Sequence, residues 1–230
     1  MQKVIIGINA IDFKNPKANH RQKIAIDVLL ENKPDNIEVV NFCFADDIIP
    51  DYCNELFTQY LNRNSKEEIG NQRPLPYIKE IFDALSVIKD AYIFGYMNSD
   101  ILLTKDFFRY FEEDADAYVF SRKEITDVDS VKYFNDKRYK FVWGGDTHAG
   151  ADAFFFRREF WIEHRDLFHS DLILGETEWD TVYRHMILRK ADKYTHERAL
   201  LHVYHDAKWN VNSIGGKNNT KIWEYVRDNT

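Results

Sequence analysis

Tyr92-Ile93-Phe94-Gly95-Tyr96-Met97-Asn98-Ser99-Asp100 is an apolar run that ends abruptly in three polar residues. The segment before it, Pro76 to Asp90, puts Ile78, Ile81, Phe82, Leu85 and Ile88 on one helical face, and Pro76 is tolerated in a first turn. A helix feeding an apolar run of strand length predicts a buried strand. A short acidic motif at the carboxyl end of such a strand lies where open α/β sheets bind ligands. A carboxylate there can hold a hard divalent cation, and the cation can hold a diphosphate.

Working outward, Val4 to Ile11 reads as a strand, Asn15-Pro16 as its breaker, and Asn19 to Glu31 as a helix carrying Ile24, Val28 and Leu29. Pro34-Asp35-Asn36 is a turn before a β-branched strand, Ile37 to Phe44. Asp51 to Leu61 reads as a short helix and Asn62 to Gln72 as a loop. After the central strand come a helix from Thr104 to Glu113 and strands at Ala117 to Ser121, Phe141 to Trp143 and Ala153 to Arg157. Helices follow at Trp161 to Phe168 and Glu178 to Lys190, then a strand at Leu200 to Tyr204 and a terminal helix at Lys221 to Arg227. This order predicts one three-layer α/β/α domain over residues 1–230, with a sheet that is parallel first and mixed later. No repeat or linker-like tract interrupts it.

The chain has 230 residues, 44% hydrophobic and 15% aromatic, enough for a sizeable core. Charged residues make up 30%, with a formal net charge of −7. That balance argues against a nucleic-acid binder but leaves room for a small anion neutralised locally by a metal or a few Arg and Lys. Cys43 and Cys53 read as reduced thiols. No apolar stretch approaches the roughly 20 residues of a membrane span. The opening Met1 to Gly7 lacks a signal-peptide pattern and reads as a first strand, so the expected setting is the cytoplasm.

Five constellations carry chemistry. In Asn98-Ser99-Asp100, Asp100 is an oxygen ligand for a cation, and Asn98 or Ser99 would contact ribose or a metal-bound water; the tripeptide also reads as a plain turn. Arg73 and Lys79 flank the start of the helix from Pro76, where cations and a helix N-terminus favour anions. Gly144 to Phe156 is a glycine-rich loop with Asp146, His148 and Asp152 running into a strand, without the Lys-Ser/Thr ending of a Walker loop. In Gly175-Glu176-Thr177-Glu178-Trp179-Asp180, a carboxylate would serve as general base, although Thr177 with Asp180 equally matches a capping box. Last comes His202-Val203-Tyr204-His205-Asp206. Strand alternation puts His202 and His205 on opposite faces, so one imidazole is expected to face a given pocket.

The order of these pieces resembles the GT-A fold of nucleotide-sugar glycosyltransferases. The matching segments are Asn98 to Ile101, Gly150 to Phe156, Trp179-Asp180 and His202 to Asp206, within a span from Arg73 to Asn210. The resemblance implies a nucleotide-binding half over about residues 1–100 and an acceptor half over about 101–230. Asp100 would bind Mn²⁺ or Mg²⁺ and the donor diphosphate, with His202 or His205 as the late ligand. Arg73, Asn98 and Ser99 would lie on the donor side, Asp152 would touch donor or acceptor hydroxyls, and Asp180 or Glu178 would be the base. Two positions depart from the family pattern. Asn98 stands where the commonest metal motif has its first Asp, and Asn9-Ala10-Ile11-Asp12 replaces the usual end of the first strand, leaving Asn9 as the base-side contact.

The expected activity is metal-dependent transfer of a sugar from a nucleoside diphosphate sugar to a hydroxyl of a carbohydrate acceptor, with inversion if the base acts directly. The alternative is a non-catalytic carbohydrate- or nucleotide-binding module on the same fold. A nucleotidyltransferase fits less well, since Asn9 to Lys17 offers no glycine. The short chain leaves room for a homo-oligomer or a partner subunit that supplies an acceptor domain.

Overall fold

The computed structural model describes residues 2–126, 150–205 and 210–230. Its strands are β1 (Lys3–Ile8), β2 (Ile37–Cys43), β3 (Phe57–Tyr60), β4 (Ala91–Met97), β5 (Ile101–Leu103), β6 (Ala117–Ile125), β7 (Ala151–Arg157) and β8 (Tyr194–Val203). They form one sheet in the order β3-β2-β1-β4-β7-β6-β8-β5. β3, β2, β1 and β4 run parallel. β7 is antiparallel to both β4 and β6, β8 is parallel to β6, and β5 is antiparallel to β8. The sheet is therefore mixed and mostly parallel, as expected.

The helices are α1 (Pro16–Asn32), α2 (Ser65–Ile69), α3 (Ile78–Ser86), α4 (Arg158–His164), α5 (Trp179–Lys190) and α6 (Ile214–Asn229). Strand alternation divides the core between two faces. Val4, Ile6, Ile8, Ile93 and Phe155 pack with Ile26 and Leu29 of α1 and with Phe107 and Phe111 of a 3₁₀ helix at Lys105–Glu112. Ile5, Phe94, Phe154 and Phe156 pack on the other face with Phe82 of α3, Trp161 of α4, Tyr183 of α5 and Ile222 of α6. Helical layers on both faces explain why β1 after Lys3, and β4, carry almost no polar side chain. Phe82, Phe156, Trp161 and Tyr183 form an aromatic cluster in this layer, with ring centroids 5.1, 5.2, 5.3 and 5.0 Å apart for Phe82–Phe156, Phe82–Trp161, Phe82–Tyr183 and Phe156–Trp161. Each such pair is worth about 0.5–1.5 kcal/mol beyond its buried area. Gly95 of β4 faces Phe155 of β7; a Cβ there would come within 2.2 Å of the Phe154 carbonyl oxygen, so only glycine lets the two strands pair.

Several elements differ from expectation. Asn15 accepts a hydrogen bond from the Lys17 amide and Pro16 occupies the first turn, so the Asn-Pro pair, expected only to break the strand, starts α1. Of Asp51 to Leu61 only Asp51–Cys53 is helical; Phe57–Tyr60 is drawn into the sheet beside β2, where cross-strand pairing outweighs local preference. The expected loop at 62–72 contains α2, capped by Asn64. The segment after Thr104 is 3₁₀, not α-helical. The terminal helix begins at Ile214, where Ser213 caps it by accepting the Gly216 amide; Gly215 and Gly216, poor helix formers, hide that start in the sequence. Cys43 and Cys53 are both free, as expected, and both are buried. The strand expected at Phe141–Trp143 lies outside the described residues. Among the described residues, no helix is long and apolar enough to cross a membrane.

Candidate functional site

The site is built where β4 turns into β5. The Asn98 amide donates to the Asp152 carbonyl of β7 at 3.0 Å, and the Ile101 amide donates to the Asn98 carbonyl at 3.3 Å. Asn98 to Asp100 is thus a turn as well as a candidate motif. β5 pairs with β8 so that Ile101 stands opposite His202, which brings Asp100 to the end of β8. Asp100 Oδ2 lies 3.2 Å from His202 Nε2 and 3.7 Å from His205 Nε2. One ligand atom from each of these three residues falls within 4.8 Å of the others. Strict alternation would separate the two imidazoles. Instead β8 ends at Val203, the chain leaves the strand, and His205 returns to the same side, with its ring centroid 4.9 Å from that of His202. Burial alone would raise the Asp100 pKa, but hydrogen bonds and charge from His202 and His205 outweigh it and hold the carboxylate well below its usual range.

A second line of side chains supports this cluster. His202 Nδ1 donates to Glu124 Oε2 at 2.7 Å. Arg122 Nε donates to Glu124 Oε1 at 2.8 Å, and its Nη1 donates to Asp152 Oδ1 at 2.5 Å. Asn98 Nδ2 donates to the same Asp152 oxygen at 2.9 Å. The arrangement depends on a bulge in β6 between Phe120 and Arg122, where its register slips against both β7 and β8. Before the bulge Tyr118 and Phe120 pack on the α1 side; after it Ile125 does, beside Ala25 and Val28. The flipped alternation turns Arg122 and Glu124 towards Asp152 and His202. Asp152 Oδ2 remains buried without a hydrogen-bond partner. Burial pushes Glu124 up, but His202 and Arg122 draw its pKa down to about 2; burial pushes His202 down, but Asp100 and Glu124 raise it to about 9.

Beside Asp152 is a cavity of about 280 Å³, lined in part by Asn98, Asp152, Thr177, Glu178, Asp180 and Arg184. Asp180, in the first turn of α5, accepts the Ala151 amide at 2.9 Å through Oδ2. Burial raises its pKa, and the nearby Asp152 charge adds to that shift. The expected capping box is absent. Glu178 caps α5 with left-handed backbone (φ 68°), and the Thr177 hydroxyl is buried without a partner. A non-glycine residue held there stores strain of the kind found at functional sites. Glu176 is spoken for: it accepts from Ser213 Oγ at 2.7 Å and Asn71 Nδ2 at 3.2 Å, and Gly215 lies so close that a Cβ would sit 2.8 Å from its Cγ.

The remaining sequence candidates are placed as follows. Ser99 Oγ donates to Gln22 Oε1 at 2.8 Å, and Gln22 in turn donates to the Ile11 carbonyl and the Tyr52 hydroxyl. Ser99 thus ties the turn to α1. Asn9, just past β1 on the same sheet edge, donates to the Phe42 carbonyl at 2.6 Å. Arg73 reaches the Gly175 carbonyl at 3.4 Å, on the α5 side, and Lys79 pairs with Asp83 on its own helix at 2.7 Å, so neither extends the Asp100 cluster. Asp146, His148 and Asp206 lie outside the described residues. Arg122 and Glu124 escaped the sequence reading, because charges after an apolar strand look solvated. The five-residue spacing between Phe120 and Ile125, both buried on the α1 side, is the signal of the bulge that turns them inward.

Solved structures with this architecture include two that span nearly the whole chain. One is Staphylococcus aureus TarS 1-349 in complex with UDP-GlcNAc: TM-score 0.54 at 11% identity, covering 98% of this chain and 65% of that one. The other is GalNAc-T7 with UDP, GalNAc and Mn²⁺: TM-score 0.55 at 11% identity, covering 99% of this chain and 50% of that one. This chain therefore spans one half to two thirds of their lengths, and its fold is GT-A. No protein-family model matches the sequence, and no curated protein does.

Proposed function

We propose that this protein is a cation-dependent glycosyltransferase that moves a sugar from a nucleoside diphosphate sugar to a hydroxyl of a carbohydrate acceptor. The observation that carries the reading is the Asp100, His202 and His205 cluster at the carboxyl end of β4, linked through Arg122 to the cavity that holds Asp152 and Asp180. Both structural neighbours were crystallised with UDP or a UDP-sugar, and one of them with Mn²⁺. Two imidazole nitrogens and one carboxylate suit a transition-metal ion better than Mg²⁺, which takes oxygen ligands in a strict octahedron, so Mn²⁺ is the better fit. The cation would neutralise negative charge on the departing diphosphate.

The chain's own residues would divide the remaining work. Residues 1–100 would bind the nucleotide at the sheet edge that carries Asn9, and residues 101–230 would present the acceptor. Asp152 Oδ2, buried and unpartnered, would accept a hydrogen bond from a sugar hydroxyl; a buried acceptor left unmade costs about 1–3 kcal/mol. Asp180 is the preferred base over Glu178. Its raised pKa moves it towards the operating pH, and the Ala151 amide fixes its orientation. Direct attack by the hydroxyl it deprotonates would invert the anomeric centre.

A donor screen tests the reading. Thermal shift with UDP- and GDP-sugars, with and without Mn²⁺, should give a Mn²⁺-dependent rise for one donor; a ligand at 100 times its Kd adds about 2.7 kcal/mol. Nucleotide release should follow with that donor. No shift for any nucleotide sugar in Mn²⁺ overturns the reading. A shift without turnover on any acceptor replaces it with a binding module.

A further inference from the structure

The geometry points to Glu124 and Arg122 as positioning residues that fix how His202 presents itself to a cation. The inference rests on the cation reading of Asp100, His202 and His205, and goes beyond it to residues that touch neither cation nor sugar. His202 is buried, with its two ring nitrogens facing two carboxylates: Nδ1 at 2.7 Å from Glu124 and Nε2 at 3.2 Å from Asp100. An imidazole free to rotate about its χ2 would offer either nitrogen. With Nδ1–H held by Glu124, Nε2 is the nitrogen left for the site, and the ring plane is set. A carboxylate on the far nitrogen also makes the ligating one more basic.

Glu124 is itself held. Its other oxygen, Oε1, accepts from Arg122 Nε, and the side chains of Arg122 and Glu124 are 11% and 12% exposed, so the pair is oriented in a nearly dry setting. Arg122 spends its Nη1 on Asp152, the residue with the unpartnered oxygen at the cavity. One guanidinium therefore orients the carboxylate behind the cation cluster and the carboxylate at the cavity. The β6 bulge exists in the structure at the point where these two side chains must turn inward.

The experiment measures Mn²⁺ alone, without donor, by calorimetric titration of wild type, Glu124→Ala, Glu124→Gln and a charge control, Glu163→Ala, whose side chain is 74% exposed. Loss of an outer partner of a metal-ligating His typically costs 10–100-fold in affinity, and Glu124→Ala is expected to lose about that much. Glu124→Gln, which keeps an oxygen for Nδ1–H, should recover part of it, and Glu163→Ala should match wild type. Bound Co²⁺ gives a second readout: its visible absorption should shift in Glu124→Ala while circular dichroism stays that of the folded protein. Wild type that binds neither ion overturns the cation reading itself. Wild type that binds, with Glu124→Ala equal to it in affinity and in Co²⁺ spectrum, overturns the positioning role alone. If Glu124→Ala does not fold, Glu124→Gln decides: wild-type affinity together with an unchanged affinity in Arg122→Met overturns the inference, and weakened affinity in both supports it.

Discussion

Asp100 and Asp180 are both partly shielded from water, yet their environments push them in opposite directions. Burial raises both. At Asp100 two imidazoles overcome it and keep the carboxylate ionised. At Asp180 the partners are backbone amides, the nearest charge is another carboxylate, and burial wins. A ligand for a cation must stay ionised across the working range, whereas a base is most effective with a pKa raised towards neutrality. Titratable groups whose surroundings drive their pKa values apart mark a division of roles. The contrast between the turn after β4 and the first turn of α5 is therefore the physical core of the functional proposal.

The largest expected effect breaks the comparison on the Asp100 side. Asp100→Asn should lower donor-dependent nucleotide release by about 10⁴-fold, several kcal/mol of lost charge stabilisation, and chelation of wild type should match it. Retained turnover in Asp100→Asn with Mn²⁺ present would sink the role of Asp100. Next comes Asp180→Asn, expected to cost about 10³-fold in kcat with the KM for donor and the Mn²⁺ affinity unchanged, as loss of general base catalysis predicts. A variant that instead loses donor binding at unchanged kcat would move Asp180 from the chemistry to the binding of substrate.

How far the sequence reaches differs between the two sides. The end of β4 was legible because an apolar run stopping at Asn98 leaves little choice of structure, and the helix before it fixes its direction. The pairing of His202 with His205 was not, because alternation holds only inside a strand and β8 stops at Val203. Arg122 and Glu124 were invisible for a related reason: a bulge resets the alternation, and only the odd spacing of Phe120 and Ile125 betrays it. Near α5 the residues alone offered three carboxylates in Glu176, Glu178 and Asp180, and the resemblance narrowed the base only to Asp180 or Glu178. Long-range partners do the ranking: Ser213 and Asn71 occupy Glu176, and Ala151 fixes Asp180. Thr177 and Asp180 look like a capping box because the spacing is local, but the helix is entered through left-handed backbone at Glu178 and starts one residue after it.

Stability sharpens the comparison with a difference of sign. In metal-free protein, Asp100→Asn leaves His202 and His205 without their shared carboxylate and should destabilise by about 2 kcal/mol, as loss of a hydrogen bond to a charged group in a half-buried setting does. Asp180 ionises against burial, so at neutral pH its charge costs stability. Asp180→Asn can still accept the Ala151 amide through its oxygen and should leave stability unchanged or raise it by about 1 kcal/mol. Denaturant melts of both variants in chelator check this, and two shifts of the same sign would erase the distinction between the two carboxylates.

The most gradual effect is a pH slope that metal should reverse. His202 has a folded pKa of about 9 against an ordinary value near 6.5, raised by Asp100 and Glu124. A base with a raised folded pKa contributes stability that is full below the unfolded value and fades as pH climbs through the folded one. Metal-free protein should therefore lose stability from pH 6.5 to 9, by at most about 1.4 kcal/mol per pH unit from this group. A cation needs Nε2 without its proton, so proton and metal compete for that nitrogen. At fixed, subsaturating Mn²⁺ the same window should show stability gained from metal binding as pH rises. Melting temperatures from pH 6.5 to 9, in chelator and in Mn²⁺, give two curves that should lie close together at pH 6.5 and separate as pH rises, with the Mn²⁺ curve above. Parallel curves would mean that His202 does not exchange a proton for a cation, and would leave Asp100 paired with an imidazolium and no metal ligand.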